Sequence, residues 1–255
     1  MTAGILLADR PRPGVLLLTL NRPDSLNAFD MELAARFSEA LAGAADDGDV
    51  RCVVLTGAGR AFSAGNDIHE MAGFDAEAMM GAFLARDPII WQVASLPKPV
   101  ICALNGITCG AGALIAAAAD IRIGSPAMRF KVTAGNYGGA NATWTLPRVV
   151  GAPKAKEILM TGRVVAAEEA LAIGLLNHIA EDALAAALDM AQAIAANPPA
   201  GVAGVKQLID GAVDKSLHDA FNAEFAWMVE ATRQGGKAGG DIFRGFLARS
   251  GRKTG

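Results

Sequence analysis

The apolar positions fall into two periodicities. Val15–Leu20 and Val50–Leu55 are short runs rich in valine and leucine with turn residues around them, and they read as buried strands. Between them, Leu33, Phe37 and Leu41 recur at every fourth position. That spacing gives one apolar face to a helix over Asp30–Ala45, with Asp30 as its N-cap. Pro99–Leu104 reads as a third core strand and Gly110–Ala118 as a tight helix of small residues. Asp120–Ile123 and Met128–Val132 read as further strands. Helices at Lys154–Met160 and Ala167–Ile173 and a strand at Leu175–Ile179 continue the alternation. The pattern predicts an α/β layered core.

Strand signals stop at Asn197-Pro198-Pro199. Beyond it the pattern is helical, with segments at Glu224–Glu230 and Ile242–Ala248, and the tail Ser250–Gly255 is small and basic. The prolines therefore divide the chain into a core at residues 1–197 and a helical segment at 198–255.

Composition narrows the function classes. The chain has 255 residues, 52% hydrophobic and 19% charged, with a net charge of −3. That length buries one full core, and the balance is too apolar for a disordered chain. There is no basic surplus to hold a phosphate backbone, and aromatics make up 5%, so no nucleic-acid partner is expected. The apolar run Ala111–Ala119 is broken by Gly112 and followed by Asp120 and Arg122, too short to span a bilayer, so no membrane partner is expected. Met1–Arg10 lacks the pattern of a secretory signal. Cys52, Cys102 and Cys109 form no paired spacing, and the first two read as buried free thiols. The expectation is a cytoplasmic protein. No His/Cys/carboxylate cluster has metal-ligand spacing.

Two stretches carry the chemistry. Gly57–Ile68 is a glycine-dense loop after a buried strand. It lacks the lysine and hydroxyl of a phosphate loop. Asn105–Leu114 again follows a buried strand and opens a helix. The N–H groups of a first helical turn stabilise a nearby anion, and two converging donors make an oxyanion hole. The alternative reading of each stretch is a connection packed through small residues.

Taken together, these stretches resemble the crotonase (enoyl-CoA hydratase/isomerase) superfamily. The likeness runs through Leu20–Ala28, Val54–Gly57, Ala61–Ile68, Lys98–Val100, Asn105–Gly112, Leu146–Gly151 and Ala170–Asn177, nearly the whole chain. It implies a crotonase-type spiral of ββα units with a helical C-terminal part that builds homotrimers, often hexamers. It implies an acyl-CoA thioester substrate, with coenzyme A as part of that substrate and no separate cofactor. Carried over by position, the oxyanion donors are the backbone N–H groups of Asn66 and Ala111. The nucleotide end of coenzyme A lies against Ala64, Asp67 and Ile68, flanked by Leu26–Ala28. Phe243, Phe246 and Arg249 occupy the region where relatives bring an aromatic and a basic residue to that nucleotide.

The chain departs from the pattern where hydratases of the family keep two glutamates. The first position is Leu114. The second falls at Ala134 counted forward from Phe130, or near Lys131 counted back from Leu146-Pro147-Arg148. Between Pro88 and Lys156 the only carboxylate is Asp120, which reads as a structural turn acid, and there is no histidine. Water addition by two acids is therefore not expected. The segment Phe130–Asn141 and the stretch Phe62–Glu70 have a local likeness to the methylmalonyl-CoA decarboxylase branch, which implies a malonyl-CoA-type substrate as an alternative. Asn66, Tyr137 and Asn141 are then candidates to orient its carboxylate. A third reading is an acyl-CoA binder without turnover. Tyr137 also reads as a buried anchor, and Asn136 and Asn141 as turn residues. His69 reads as lying on a surface helix, and Trp144 and Met160 as core. The acyl pocket is expected from Met71–Trp91 and Ala134–Trp144.

Overall fold

Apolar runs with no polar alternation require strands covered on both faces. The computed structural model, which describes residues 4–234 together with Arg244 and Leu247, shows how they are covered. Ten strands form: β1 (Leu6–Arg12), β2 (Val15–Leu20), β3 (Cys52–Gly57), β4 (Ala61–Ser63), β5 (Val100–Leu104), β6 (Ile107–Cys109), β7 (Ile121–Gly124), β8 (Arg129–Lys131), β9 (Val165–Ala166) and β10 (His178–Ile179). The helices are α1 (Met31–Asp46), α2 (Ile68–Met71), α3 (Ala76–Ser95), α4 (Gly110–Ala118), α5 (Leu146–Val150), α6 (Ala152–Thr161), α7 (Ala167–Ala172), α8 (Ala183–Ala195), α9 (Pro199–Asp210) and α10 (Leu217–Gln234).

The larger sheet runs β1-β2-β3-β5-β7-β10, parallel except for the β1–β2 hairpin. A smaller sheet runs β4-β6-β8-β9. Alternation along each strand splits the core in two. Val15, Leu17, Val54, Ile101, Ala103 and Ile123 face α8, which meets them with Ala183, Ala187, Ala191 and Ala195. An alanine every fourth residue lets the helix lie close on the sheet. Leu16, Leu18, Leu20, Val53, Leu55, Val100 and Leu104 point the other way, into a core with Leu33, Phe37 and Leu41 of α1 and Ile89 and Val93 of α3.

The predicted α1 face is buried as expected, and Asp30 caps the helix by accepting from the Leu33 N–H at 2.8 Å. Several boundaries move. The strand expected at Val50–Leu55 runs Cys52–Gly57, and the one expected over Leu175–Ile179 keeps only its last two residues. Leu175 and Leu176 are buried as irregular chain. Trp144 and Met160 are not core, being 40% and 78% exposed. Trp144 instead pairs with Trp91, ring centroids 5.8 Å apart.

Contacts divide the chain into two compact units at Val202/Ala203. In the second, α10 packs on α9 at Gly204, where any Cβ would fall 2.2 Å from the Trp227 ring. Leu217, Phe221, Phe225 and Met228 of α10 are exposed. The segment Ile242–Ala248 and Ser250–Gly255 lie outside the described residues, apart from Arg244 and Leu247. No helix among the described residues is long and apolar enough to cross a membrane.

Candidate active site

Two loops cross beneath a cavity, and their sequence explains how closely. At Gly65 the backbone has φ +103°, and a Cβ there would lie 3.1 Å from both the Cys109 carbonyl oxygen and the Gly110 Cα. Gly110, at φ +49°, opens α4. One turn into α4, a Cβ on Gly112 would lie 2.7 Å from the Ser63 Cβ. At Gly65 only glycine satisfies both the positive φ and the close approach, and at Gly112 the close approach alone excludes a side chain.

Polar bonds pin the first loop. The Ser63 hydroxyl donates to the Asn27 carbonyl (2.8 Å) and accepts from the Gly65 N–H (3.1 Å). Asn27, fully buried at φ +56°, donates from its amide to the Ala58 and Ala61 carbonyls and accepts from the Arg22 N–H. Arg22 in turn reaches the Asp67 and Asp30 carboxylates, each at 3.1 Å.

This anchoring sets two N–H groups apart. Phe29 and Asn66 form a parallel bridge in which the Phe29 N–H donates to the Gly65 carbonyl (2.7 Å) and the Asp67 N–H donates to the Phe29 carbonyl (2.9 Å). In that pattern Asn66 turns its own N–H away from Phe29. Ala111 is the second residue of α4, so its N–H has no acceptor within the helix. Far along the same helix, buried Arg122 donates to the Ala116 and Ala119 carbonyls and to that of Leu175. A cation on those last carbonyls complements the helix dipole and fixes the end opposite Ala111.

The cavity measures about 690 Å³. Its walls are the crossing loops (Ala64, Asn66, Ile68, Gly110, Ala111), α4 (Leu114, Ile115), α3 (Phe83, Arg86, Asp87, Ile89, Ile90) and the segment that supplies Thr133, Ala134, Tyr137, Gly139 and Asn141. A second cavity, about 340 Å³, is walled by Asp87, Ile90, Trp91, Leu114, Ala140, Asn141 and Trp144, among others. Asp87, Ile90, Leu114 and Asn141 therefore belong to both.

Of the residues singled out from sequence, Asn66, Ala111, Tyr137, Asn141, Ala64 and Ile68 meet at the main cavity. Leu26, Ala28 and Asp67 are not among its lining residues. The Ala64 N–H already donates to the Leu26 carbonyl at 2.9 Å, and the Ala28 carbonyl accepts from Arg22. The Asp67 carboxylate caps α2 through the His69 and Glu70 N–H groups. Burial works against its charge, but those bonds and Arg22 outweigh it and hold its carboxyl below the usual range. Tyr137 is not a buried anchor; it lines the cavity while 82% exposed. The Asn66 side-chain oxygen is buried without a partner. Phe246, with Phe243 and Arg249, lies outside the described residues. Asp120 accepts from the Val100 N–H at 2.7 Å, the turn role expected of it. His69 is exposed at the start of α2.

Sequence reasoning missed Asp87, one residue before the interval in which carboxylates are lacking. Among the described residues it is the only carboxylate lining either cavity. Burial pushes its carboxyl above the ordinary value. Its neighbour Arg86 is buried and ion-paired with Glu70. No group of three metal-ligating side chains occurs among the described residues.

The enoyl-CoA hydratase/isomerase family model matches residues 10–243. The chain belongs to this family. It is 36% identical over 220 residues to the 1,2-epoxyphenylacetyl-CoA isomerase of Escherichia coli K12, covering 83% of this chain and 84% of that protein. It is 35% identical over 246 residues to the (E)-benzylidenesuccinyl-CoA hydratase of Thauera aromatica, covering 91% of this chain and 96% of that one. Its fold is similar to the solved enoyl-CoA hydratase of Bacillus anthracis, with a TM-score of 0.90 and 29% identity over 98% of this chain and 97% of that one. The Mycobacterium smegmatis enoyl-CoA hydratase gives 0.87 and 32% over 99% of each chain. The family assignment and the crotonase-type fold thus agree with the motif order read from Leu20 to Asn177.

Proposed function

We propose that this crotonase-family enzyme binds an acyl-CoA thioester with its carbonyl oxygen between the backbone N–H groups of Asn66 and Ala111, and stabilises the enolate formed at the α-carbon. The observation that carries this reading is the crossing at Gly65 and Gly110, which leaves those two residues at one cavity with N–H groups unspent on the fold. Fixed donors aimed at developing negative charge are worth most in the transition state, because they need no reorganisation as the charge appears. Ala64, Asp67 and Ile68, with Leu26 and Ala28 beside them, form the approach for the coenzyme A nucleotide. Since the Ala64 and Asp67 N–H groups are spent on Leu26 and Phe29, the ligand meets carbonyls and the exposed Ile68 side chain there.

Hydration by two glutamates finds no support, because Leu114 and Ala134 bring apolar side chains to the cavity. Decarboxylation of a malonyl-CoA-type thioester is disfavoured by Asp87, whose charge would repel a substrate carboxylate at the shared wall. We also propose a homotrimer or a dimer of trimers, supported by the exposed row Leu217, Phe221, Phe225 and Met228.

Titration calorimetry with acyl-CoA thioesters, paired with exchange of the α-proton in D₂O followed by NMR, tests the enolate reading. Binding with exchange is expected. Binding without exchange would leave an acyl-CoA binder, and no binding would overturn the reading.

A further inference from the structure

We propose that Asp87 is the single proton-carrying residue of this site, and that the reaction is a 1,3-shift of an enoyl-CoA double bond. The inference rests on the enolate reading above and adds the base and the reaction class.

Three observations converge on Asp87. Among the described residues it is the only carboxylate that lines either cavity, and no histidine among them lines one. It shares both walls with Leu114, the position where hydratases of the family keep an acid. The proton carrier has thus moved from α4 to the facing helix α3 without leaving the cavity. Finally, it stands immediately before Pro88, inside α3. Proline offers no N–H, so the Leu84 carbonyl has no N–H four residues on to accept from.

The other titratable groups on these walls leave Asp87 free to work. Arg86 pairs with Glu70 through one nitrogen, its Nε and Nη1 being buried without a partner, and Tyr137 is the remaining one. Asp87 is exposed at the cavity edge, and the desolvation it does undergo raises its carboxyl. A bound acyl chain would displace water from the cavity and extend the same effect.

The step balances without water or a redox partner. The Asp87 carboxylate takes the α-proton of a 3-enoyl thioester. The C–H electron pair moves into the dienolate, whose oxygen takes the negative charge opposite the Asn66 and Ala111 N–H groups. The neutral Asp87 then returns the proton to the γ-carbon, giving the conjugated 2-enoyl thioester. A hydratase needs two proton carriers to deliver water, whereas this shift needs one.

The test compares wild type, Asp87→Asn and Asp87→Glu with a 3-enoyl-CoA, reading isomerisation, α-proton exchange and thioester binding. Asp87→Asn is expected to lose at least about 100-fold in isomerisation and exchange, the lower end of general acid–base contributions, with binding changed less than about threefold. Its rate should also lose the acidic limb of the pH profile, and Asp87→Glu should keep that limb at reduced rate. Exchange retained in Asp87→Asn, or a loss confined to binding, would overturn the role of Asp87 alone. A wild-type chain that binds the thioester but exchanges no α-proton would overturn the enolate reading and this proposal with it.

Discussion

The substitution Gly112→Ala sets two opposing effects against each other, and their sizes decide the sign. Alanine in a helix is favoured over glycine by up to about 1 kcal/mol. Against this, the new Cβ would lie 2.7 Å from the Ser63 Cβ, 2.9 Å from its carbonyl oxygen and 3.1 Å from its hydroxyl. Ser63 cannot swing aside, because it is fully buried and its hydroxyl is held by Asn27 and Gly65. Restoring ordinary contact needs α4 and β4 to part by about 0.7 Å, and overpacking of this kind costs about 1–3 kcal/mol. A strained Ser63 bond adds about 1 kcal/mol. The net expectation is a loss of about 1–3 kcal/mol, or about 2–6 °C in Tm for a chain of this size. Because Ala111 precedes the substituted residue, its N–H moves too, and α-proton exchange should fall at least about tenfold. Thermal and urea unfolding measure the first effect and NMR exchange the second. Gly81→Ala is the control: it also lies in a helix, but its Cβ would meet no atom within 4 Å. It should gain about 0.5–1 kcal/mol with exchange unchanged. A Gly112→Ala protein as stable and active as wild type would refute the argument that these loops cross at contact distance.

Three further outcomes follow from the same structure. The Asp67 carboxyl is held below its ordinary 3.8, so its stabilisation is complete above that value and is lost as pH falls through the lowered one. Asp67→Asn should therefore flatten the fall in urea midpoint as pH drops below about 4, and an unchanged slope would contradict the Arg22 pairing. Arg122→Met strands the Ala116, Ala119 and Leu175 carbonyls and should cost about 2–4 kcal/mol by urea unfolding, whereas a loss under 1 kcal/mol would mean that water replaces the guanidinium. If the chain forms the proposed trimer, Phe221→Asp with Phe225→Asp should leave monomers in analytical ultracentrifugation, and intact trimers would assign the interface elsewhere.

The legible parts of the fold were those set by one strong local signal. The buried face of α1 follows from Leu33, Phe37 and Leu41, and the Asp30 cap from a side chain three residues before the N–H it accepts. The crossing loops were legible as motifs, since the glycines that permit contact are also the residues that mark the family. Helix α3 was not, because its apolar residues face both the core and the cavity and no single stripe emerges around Pro88. Asp87 was missed for a different reason. The stretch Met71–Trp91 was expected to line the acyl pocket, but the search for a proton carrier was bounded by the family's glutamate positions and stopped one residue short. The strand expected at Leu175 fails because the backbone there is satisfied by Ala170 and by the Arg122 guanidinium rather than by a strand ladder. Trp144 and Met160 read as core from their apolar character alone, and nothing in the local pattern marked them as facing outward.

The loop crossing also bears on engineering. Both proposed donors are main-chain atoms, held by glycines and by the Asn27–Ser63 bonds, and none of these residues except Gly110 is on the cavity wall. Positions 87, 114, 134 and 141 are on the wall but take no part in that scaffold. A library randomised at those four sites would therefore vary proton supply and acyl fit while the carbonyl-polarising apparatus stays constant. Selecting new reactions from one such library would be a search over side chains alone, with the backbone as its fixed instrument.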